Sequence, residues 1–124
     1  MKFESYRDLR VWQEAMDLAE ACYLLTRDFP KDEMYGMTSQ IRRAASSIAA
    51  NIAEGHGREQ TGSFVQFLRI SQGSLKELET HVILANRVGL ASDASVVLGK
   101  CDELGRMLRS LIRSLQSRSE AKLA

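Results

Sequence analysis

Apolar side chains recur along this chain at steps of three and four, the period of one helix face, and strict alternation is absent. Four such stretches predict four helices. The first spans about 7–26, with Leu9, Trp12, Met16, Ala19, Tyr23 and Thr26 as its seam. Ser5 and Asp8 have the spacing of a capping box, and Pro30 ends the segment. The second spans 38–54, after a short turn at 32–35. Its stripe is Met37, Ile41, Ala45, Ile48 and Ile52, with Gly55 and Gly57 as stop signals. The third spans 61–88, with Phe64, Leu68, Ser71, Leu75, Leu78, Val82 and Ala85 inward. Ser63 and Gln66 offer it a capping box, and Gly89 stops it. The fourth spans 93–117, with Ser92 or Asp93 as cap and Val97, Cys101, Leu104, Leu108, Leu111 and Leu115 as seam. The tail beyond is expected to fray. Short connections between helices of similar length favour antiparallel neighbours. The expectation is all-α: a single domain over residues 1–124, folded as an antiparallel up-down-up-down four-helix bundle.

The apolar faces are wider than such a bundle needs. Helix one adds Val11, Leu18, Cys22 and Leu25, and helix three is apolar all round at 82–85. A helix apolar on two sides is usually covered on two sides, so a homo-oligomer is expected. A chain of 124 residues buries a core without staples. Its two cysteines, Cys22 and Cys101, lie on apolar stripes and read as buried thiols. Net charge is +1, which advertises no overall basic field. Residues 1–29 nevertheless hold four basic and six acidic side chains, and residues 93–124 six basic and four acidic. The opening MKFESYRDLR has no apolar leader and no stretch nears the roughly 20 apolar residues of a membrane helix. A cytoplasmic protein with no membrane partner is expected.

The stretch SIAANIAEGHGRE, residues 47–59, concentrates chemistry-bearing side chains. It reads as a turn between helices. His56 lacks a ligand partner at rigid spacing; Glu77 and His81 share a face, but two residues make no metal site. EGHGRE matches no phosphate-loop pattern and follows no strand, which leaves only the generic anion affinity of a helix start near Arg58. No His–Asp pair is placed to activate Ser46, Ser47 or Ser74, and Glu77 and Glu79 lie on different faces. No catalytic residue, metal or cofactor is expected. A polar stripe does climb helix two beside the apolar one: Gln40, Arg43, Ser47, Asn51 and Glu54. Amides, a serine and one arginine suit a half-buried junction with directed hydrogen bonds. Folding the hairpin brings Arg43 level with Gln72–Glu77, so pairing with Glu77, or failing that Glu79, is expected. Gly73 costs a helix about 1 kcal/mol against alanine, which a close helix crossing would justify.

The segments FESYRDLRVWQEA, FPKDEMYGMTSQIRRAASSIAANIAEGHGR and FLRISQGSLKELETHV resemble the bacterial four-helix-bundle family first noticed as proteins encoded in 23S rRNA intervening sequences. The likeness runs from about Phe3 to Gly89 and more loosely onward. It implies a left-handed antiparallel four-helix bundle, often a homopentamer, with no established enzymatic activity. A similar branch comprises accessory proteins of diversity-generating retroelements, pentamers that bind nucleic acid and a reverse transcriptase. Those are typically strongly basic, unlike this chain. The family's motif residues fall on Trp12, Gln40, Arg43, Asn51, Glu54, Gly55, Arg58, Gly73, Ser74, Glu77 and Glu79. Most of them read as architecture: Trp12 fills the core, Gly55 closes a helix, and Gln40, Arg43, Asn51 and Glu77 fix polar contacts.

Two functions follow as expectations. The first is a non-enzymatic oligomeric interaction module whose partner is itself, with another protein as a further candidate partner. The alternative is an RNA- or DNA-binding accessory ring. Its candidate contacts are Arg42, Arg58, Arg69, Arg106, Arg109, Arg113 and Arg118, of which Arg106, Arg109 and Arg113 share one face of helix four.

Overall fold

The computed structural model describes residues 5–123. Four α-helices carry the fold: α1 (Arg10–Thr26), α2 (Ser39–Gly57), α3 (Thr61–Arg87) and α4 (Ser95–Leu123). Each packs on its chain neighbour and α4 closes back on α1, a four-helix bundle. None of these helices is long and apolar enough to cross a membrane. Between them lies one continuous core of Leu18, Ile41, Ile48, Ile52, Leu68, Leu75, Leu78, Leu104 and Leu108, each side chain at most 1% exposed.

The N-terminal boundary differs from expectation. Ser5 accepts a hydrogen bond from the Arg7 N–H (3.1 Å), but the turn it caps is a separate 3-10 turn, Tyr6–Asp8. Leu9 is extended and buried, and α1 starts after it. The face of α1 that enters the core is Val11, Ala15, Leu18, Cys22 and Thr26. The expected seam of Trp12, Met16, Ala19 and Tyr23 is rotated one residue outward, with Met16 45% and Tyr23 48% exposed. Both stripes have the same spacing, so periodicity cannot choose between them. The buried face of α2 also carries small side chains, Ala44, Ala45 and Ala49, and the slimmer Ala15 and Cys22 suit close helix packing. Trp12 is half-buried at the bundle edge rather than in its centre, edge-to-face with Tyr6 at 5.3 Å.

Thr26, 2% exposed, ties α1 to α2. Its hydroxyl donates to the Cys22 carbonyl (2.8 Å) and accepts from Arg42 Nε (2.9 Å). The connection then makes a 3-10 turn, Lys31–Glu33, and a wide turn, Met34–Thr38, broken at Gly36 (φ −110°, ψ −114°).

Helix α2 outruns its expected end. Gly55 does not stop it; it is buried inside the last turns, and Gly57 is still helical. The left-handed residue of the link is Glu59 (φ 59°). Gly55 continues the stripe of Ile48 and Ile52, where a Cβ would sit 2.5 Å from Phe67 Cβ. It is a contact glycine that lets α3 approach. Helix α3 begins after Gln60 with no side-chain cap, so the Ser63–Gln66 box is not used. Its end is as expected: Gly89 adopts φ 84°, Gly89 N–H reaches Asn86 O and Leu90 N–H reaches Ala85 O, a Schellman closure.

Asp93 starts α4 by accepting from the Ser95 N–H (2.9 Å) and hydroxyl (2.7 Å). These bonds hold its carboxyl below the ordinary range. The helix continues past residue 117 to Leu123 instead of fraying there. Its seam is Val97, Cys101, Leu104, Leu108, Ile112 and Leu115; Ile112 rather than Leu111 takes the inward place.

Candidate functional site

The polar stripe of α2 divides in two. Its upper part is an interhelix junction. Asn51 Nδ2 donates to the Ser47 carbonyl (2.8 Å) and hydroxyl (3.1 Å), and the Ser47 and Ser74 hydroxyls meet at 3.0 Å. Beneath them Ser71, fully buried, donates to the Ile48 carbonyl at 3.0 Å. The sequence places Ser71 in the inward seam of α3, and its hydroxyl is what that place uses. A small hydroxyl at that place lets α3 lie close to the α2 backbone. Glu54 stands apart, exposed and paired with Arg58 at 3.2 Å.

The lower part is open. Gln40 and Arg43, both exposed, line a polar pocket of about 290 Å³ with Ala44, Ser47 and Glu77. The expected ion pair does not form: among the described residues Arg43 bridges neither Glu77 nor Glu79. Glu77 Oε2 instead lies 3.5 Å from His81 Nε2, and Glu79 lies 3.4 Å from Lys76 Nζ. Partners three and four residues away on the same helix are in reach without ordering a long arginine across solvent. Arg43→Ala is therefore expected to unfold within about 0.5 kcal/mol of the wild type in urea titration. A loss of about 2 kcal/mol would show a hidden partner.

A second feature gives the surplus apolar surface of α1 a place that the sequence does not specify. Tyr6, Trp12, Met16, Tyr23, Ala49 and Ala53 line an open apolar groove of about 520 Å³ between α1 and α2, with Ala50 and Glu20 also on its surface. The rotated seam of α1 forms its wall and the alanines of α2 its floor. Its sequence signal is the doubled apolar stripe of α1, the feature from which a homo-oligomer is expected.

The candidate cations are scattered. Arg42 is committed to the fold, bonded to Thr26 and stacked 4.5 Å from the Tyr23 ring. Arg58 pairs with Glu54 and lies over Phe67 at 5.1 Å. Arg69 is exposed on α3, whereas Arg106, Arg109, Arg113 and Arg118 are exposed along α4.

Chemistry-bearing groups elsewhere do not converge. Among the described residues no three of His, Cys, Asp and Glu are grouped to hold a metal ion. Among the described residues His56 Nε2 is buried without a hydrogen-bond partner, and His81 Nε2 has the Glu77 carboxylate at ion-pair distance but no hydrogen bond; the His56 ring meets Phe64 edge-on at 5.8 Å. Burial pushes the Cys22 and Cys101 thiols up to about 12, which leaves them protonated and unreactive at neutral pH.

Two comparisons place the chain among known proteins. The model of the family described as 23S rRNA-intervening sequence protein matches residues 7–110. A solved structure from Bacteroides thetaiotaomicron VPI-5482, described as a protein with unknown function from the S23 ribosomal protein family, superposes with a TM-score of 0.74. It is 24% identical, and the match covers 82% of this chain and 97% of that one. That likeness shows the fold. A search among curated proteins found no match.

Proposed function

The chain belongs to the 23S rRNA-intervening sequence protein family, and from that premise we propose that it is a non-enzymatic interaction module that works as a homo-oligomer, a pentamer, in the cytoplasm. One observation carries this reading. The bundle completes its own core yet leaves a 520 Å³ apolar groove and large apolar side chains outside it, among them Met16, Tyr23, Tyr35, Leu84 and Val88. Single exposed apolar residues are ordinary, but a contiguous walled groove marks an interaction surface. The polar groups of the α2–α3 junction are spent on one another, which suits a rigid module better than a reacting site.

The second reading, RNA or DNA binding, is favoured by α4. Arg106, Arg109 and Arg113 lie exposed at three-then-four spacing, and none joins an ion pair found among the described residues. A symmetric assembly would repeat that stripe and multiply its field.

Light scattering with and without a short structured RNA tests both. The self-assembly reading expects a particle several times the 13.9 kDa chain, and a 13.9 kDa monomer at micromolar concentration overturns it. The nucleic-acid reading expects RNA to add mass, with affinity falling roughly tenfold or more between about 50 and 200 mM salt. Salt-insensitive or absent binding removes it.

A further inference from the structure

The turn between α1 and α2 presents a feature that the fold itself does not use. Tyr35 is 95% exposed and Met34 beside it 49%. Such side chains on a floppy loop would mean little, but this turn is braced. Glu33 N–H bonds the Pro30 carbonyl (3.0 Å), and Glu33 Oε1 accepts from the Met37 N–H (3.2 Å). Phe29 and Thr38, at its two ends, are buried. A methionine and a tyrosine are thus held out into solvent on a fixed backbone. Rigid exposed aromatics are what interface anchors look like, because little freedom is lost when they dock.

The α1–α2 groove is the complementary shape. Its floor is alanine and its walls are Trp12, Met16 and Tyr23. Its charges also match the turn. Arg42 is stacked on the wall residue Tyr23 and Arg7 on Tyr6 (5.0 Å), so guanidinium groups stand by the groove, with Glu20 the one carboxylate on its surface among the described residues. The connection carries Asp28, Asp32 and Glu33 against Arg27 and Lys31, which leaves one net negative charge beside its apolar tip. Tyr35 of the same chain does not occupy the groove, since it stands in solvent.

We propose that the Met34–Tyr35 knob of one copy seats in the α1–α2 groove of a second copy, head to tail. The proposal rests on the self-assembly reading and names its contact. Knob and groove are different patches, so the interface is heterologous, and repetition closes a ring or extends a filament.

The test uses full-length variants: Tyr35→Ala, which removes the knob, and Ala50→Glu, which fills the exposed groove surface and adds a charge. Circular dichroism checks that each still folds, and light scattering reads mass. If the wild type is a 13.9 kDa monomer, the self-assembly reading falls and this contact with it. If the wild type assembles, each variant alone is expected to drop to 13.9 kDa. Their mixture is expected to form two-chain particles and no larger, because the Tyr35→Ala chain still offers a groove and the Ala50→Glu chain still offers a knob. An assembled wild type with either variant retaining its mass overturns the contact and leaves self-assembly standing. So does a mixture that stays monomeric, since it means the groove holds something other than this knob. Tyr35→Phe, which keeps the ring, is expected to assemble as the wild type does.

Discussion

Gly55→Ala is expected to lower stability by about 1–3 kcal/mol, whereas Gly73→Ala is expected to raise it by about 0.5–1 kcal/mol. Both glycines lie inside helices, where alanine is worth up to about 1 kcal/mol. The difference is what a methyl group meets. At Gly55 it would stand 2.5 Å from Phe67 Cβ and 3.2 Å from Phe64 Cδ1. The first of these is bonded directly to the backbone and cannot swing aside, so α2 and α3 must separate locally. That separation would also stretch the nearby Ser47–Ser74 and Ser71–Ile48 hydrogen bonds. At Gly73 nothing lies within 4 Å and the position is exposed, so alanine gains its helical preference unopposed. Urea midpoints of the two variants against the wild type check the pair. Opposite signs support the packing argument; a neutral Gly55→Ala would mean that the helices part without cost.

Gly73 reverses an expectation, and the reason shows how far the sequence could be read. Four helices, their order and most inward positions were legible, because a long 3.6-residue period survives any tertiary context. Ile41, Ile48 and Ile52 and the whole Phe64–Ala85 seam lie where the pattern puts them. The rotation of α1 was not legible. Two stripes of equal spacing competed there, and the choice depended on the alanines of a different helix. The glycines were misread for a related reason. Gly55 sits at a helix end in the sequence but three residues beyond Ile52 on the same inward stripe, so it looks like a stop and acts as a contact. Gly73 looks like a crossing and faces open space.

The polar stripe divides along the same line. Ser47, Asn51 and Ser74 are short, and short polar groups at an interhelix junction find partners fixed by the backbone spacing. Arg43 and Glu77 are long and exposed, and their positions are set by solvent and by same-helix neighbours, which no pattern of residues across a hairpin can anticipate. The groove follows from the same rotation: Val11, Leu18 and Cys22, which the sequence presents as the surplus of α1, are buried, while Trp12, Met16 and Tyr23, its expected seam, wall the groove over the alanines of α2. The two proposed readings draw on different elements, the groove between α1 and α2 and the exposed arginines of α4.

Alkaline pH is expected to destabilise the fold through its two buried thiols. Cys22 and Cys101 are each 0% exposed, and burial raises both from an ordinary value of 9.0 to about 12; for Cys101 the facing Cys22, Glu79 and Asp102 add to the rise while Lys76 opposes it. A pKa raised by folding marks a group held in its protonated form. Its contribution is complete below the unfolded value and is lost as pH climbs towards the folded one, because the unfolded chain can release a proton that the folded chain keeps. The window is therefore pH 9 to 12. Within it each thiol removes about 1.4 kcal/mol per pH unit. By pH 10.5 the loss reaches about 2 kcal/mol per thiol and about 4 kcal/mol for both, a large share of a small domain's stability. Other groups titrate in this range too, so the informative comparison is with the Cys22→Ala/Cys101→Ala double variant at equal protein concentration. That variant begins less stable at pH 7, having lost two buried sulfur atoms. Its urea midpoint should then fall less steeply than the wild type's above pH 9, so that the two curves converge or cross near pH 10.5. Parallel curves across that range would mean that the thiols ionise inside the folded bundle, and that the interface of α1 with α4 admits water where its cysteines meet the core.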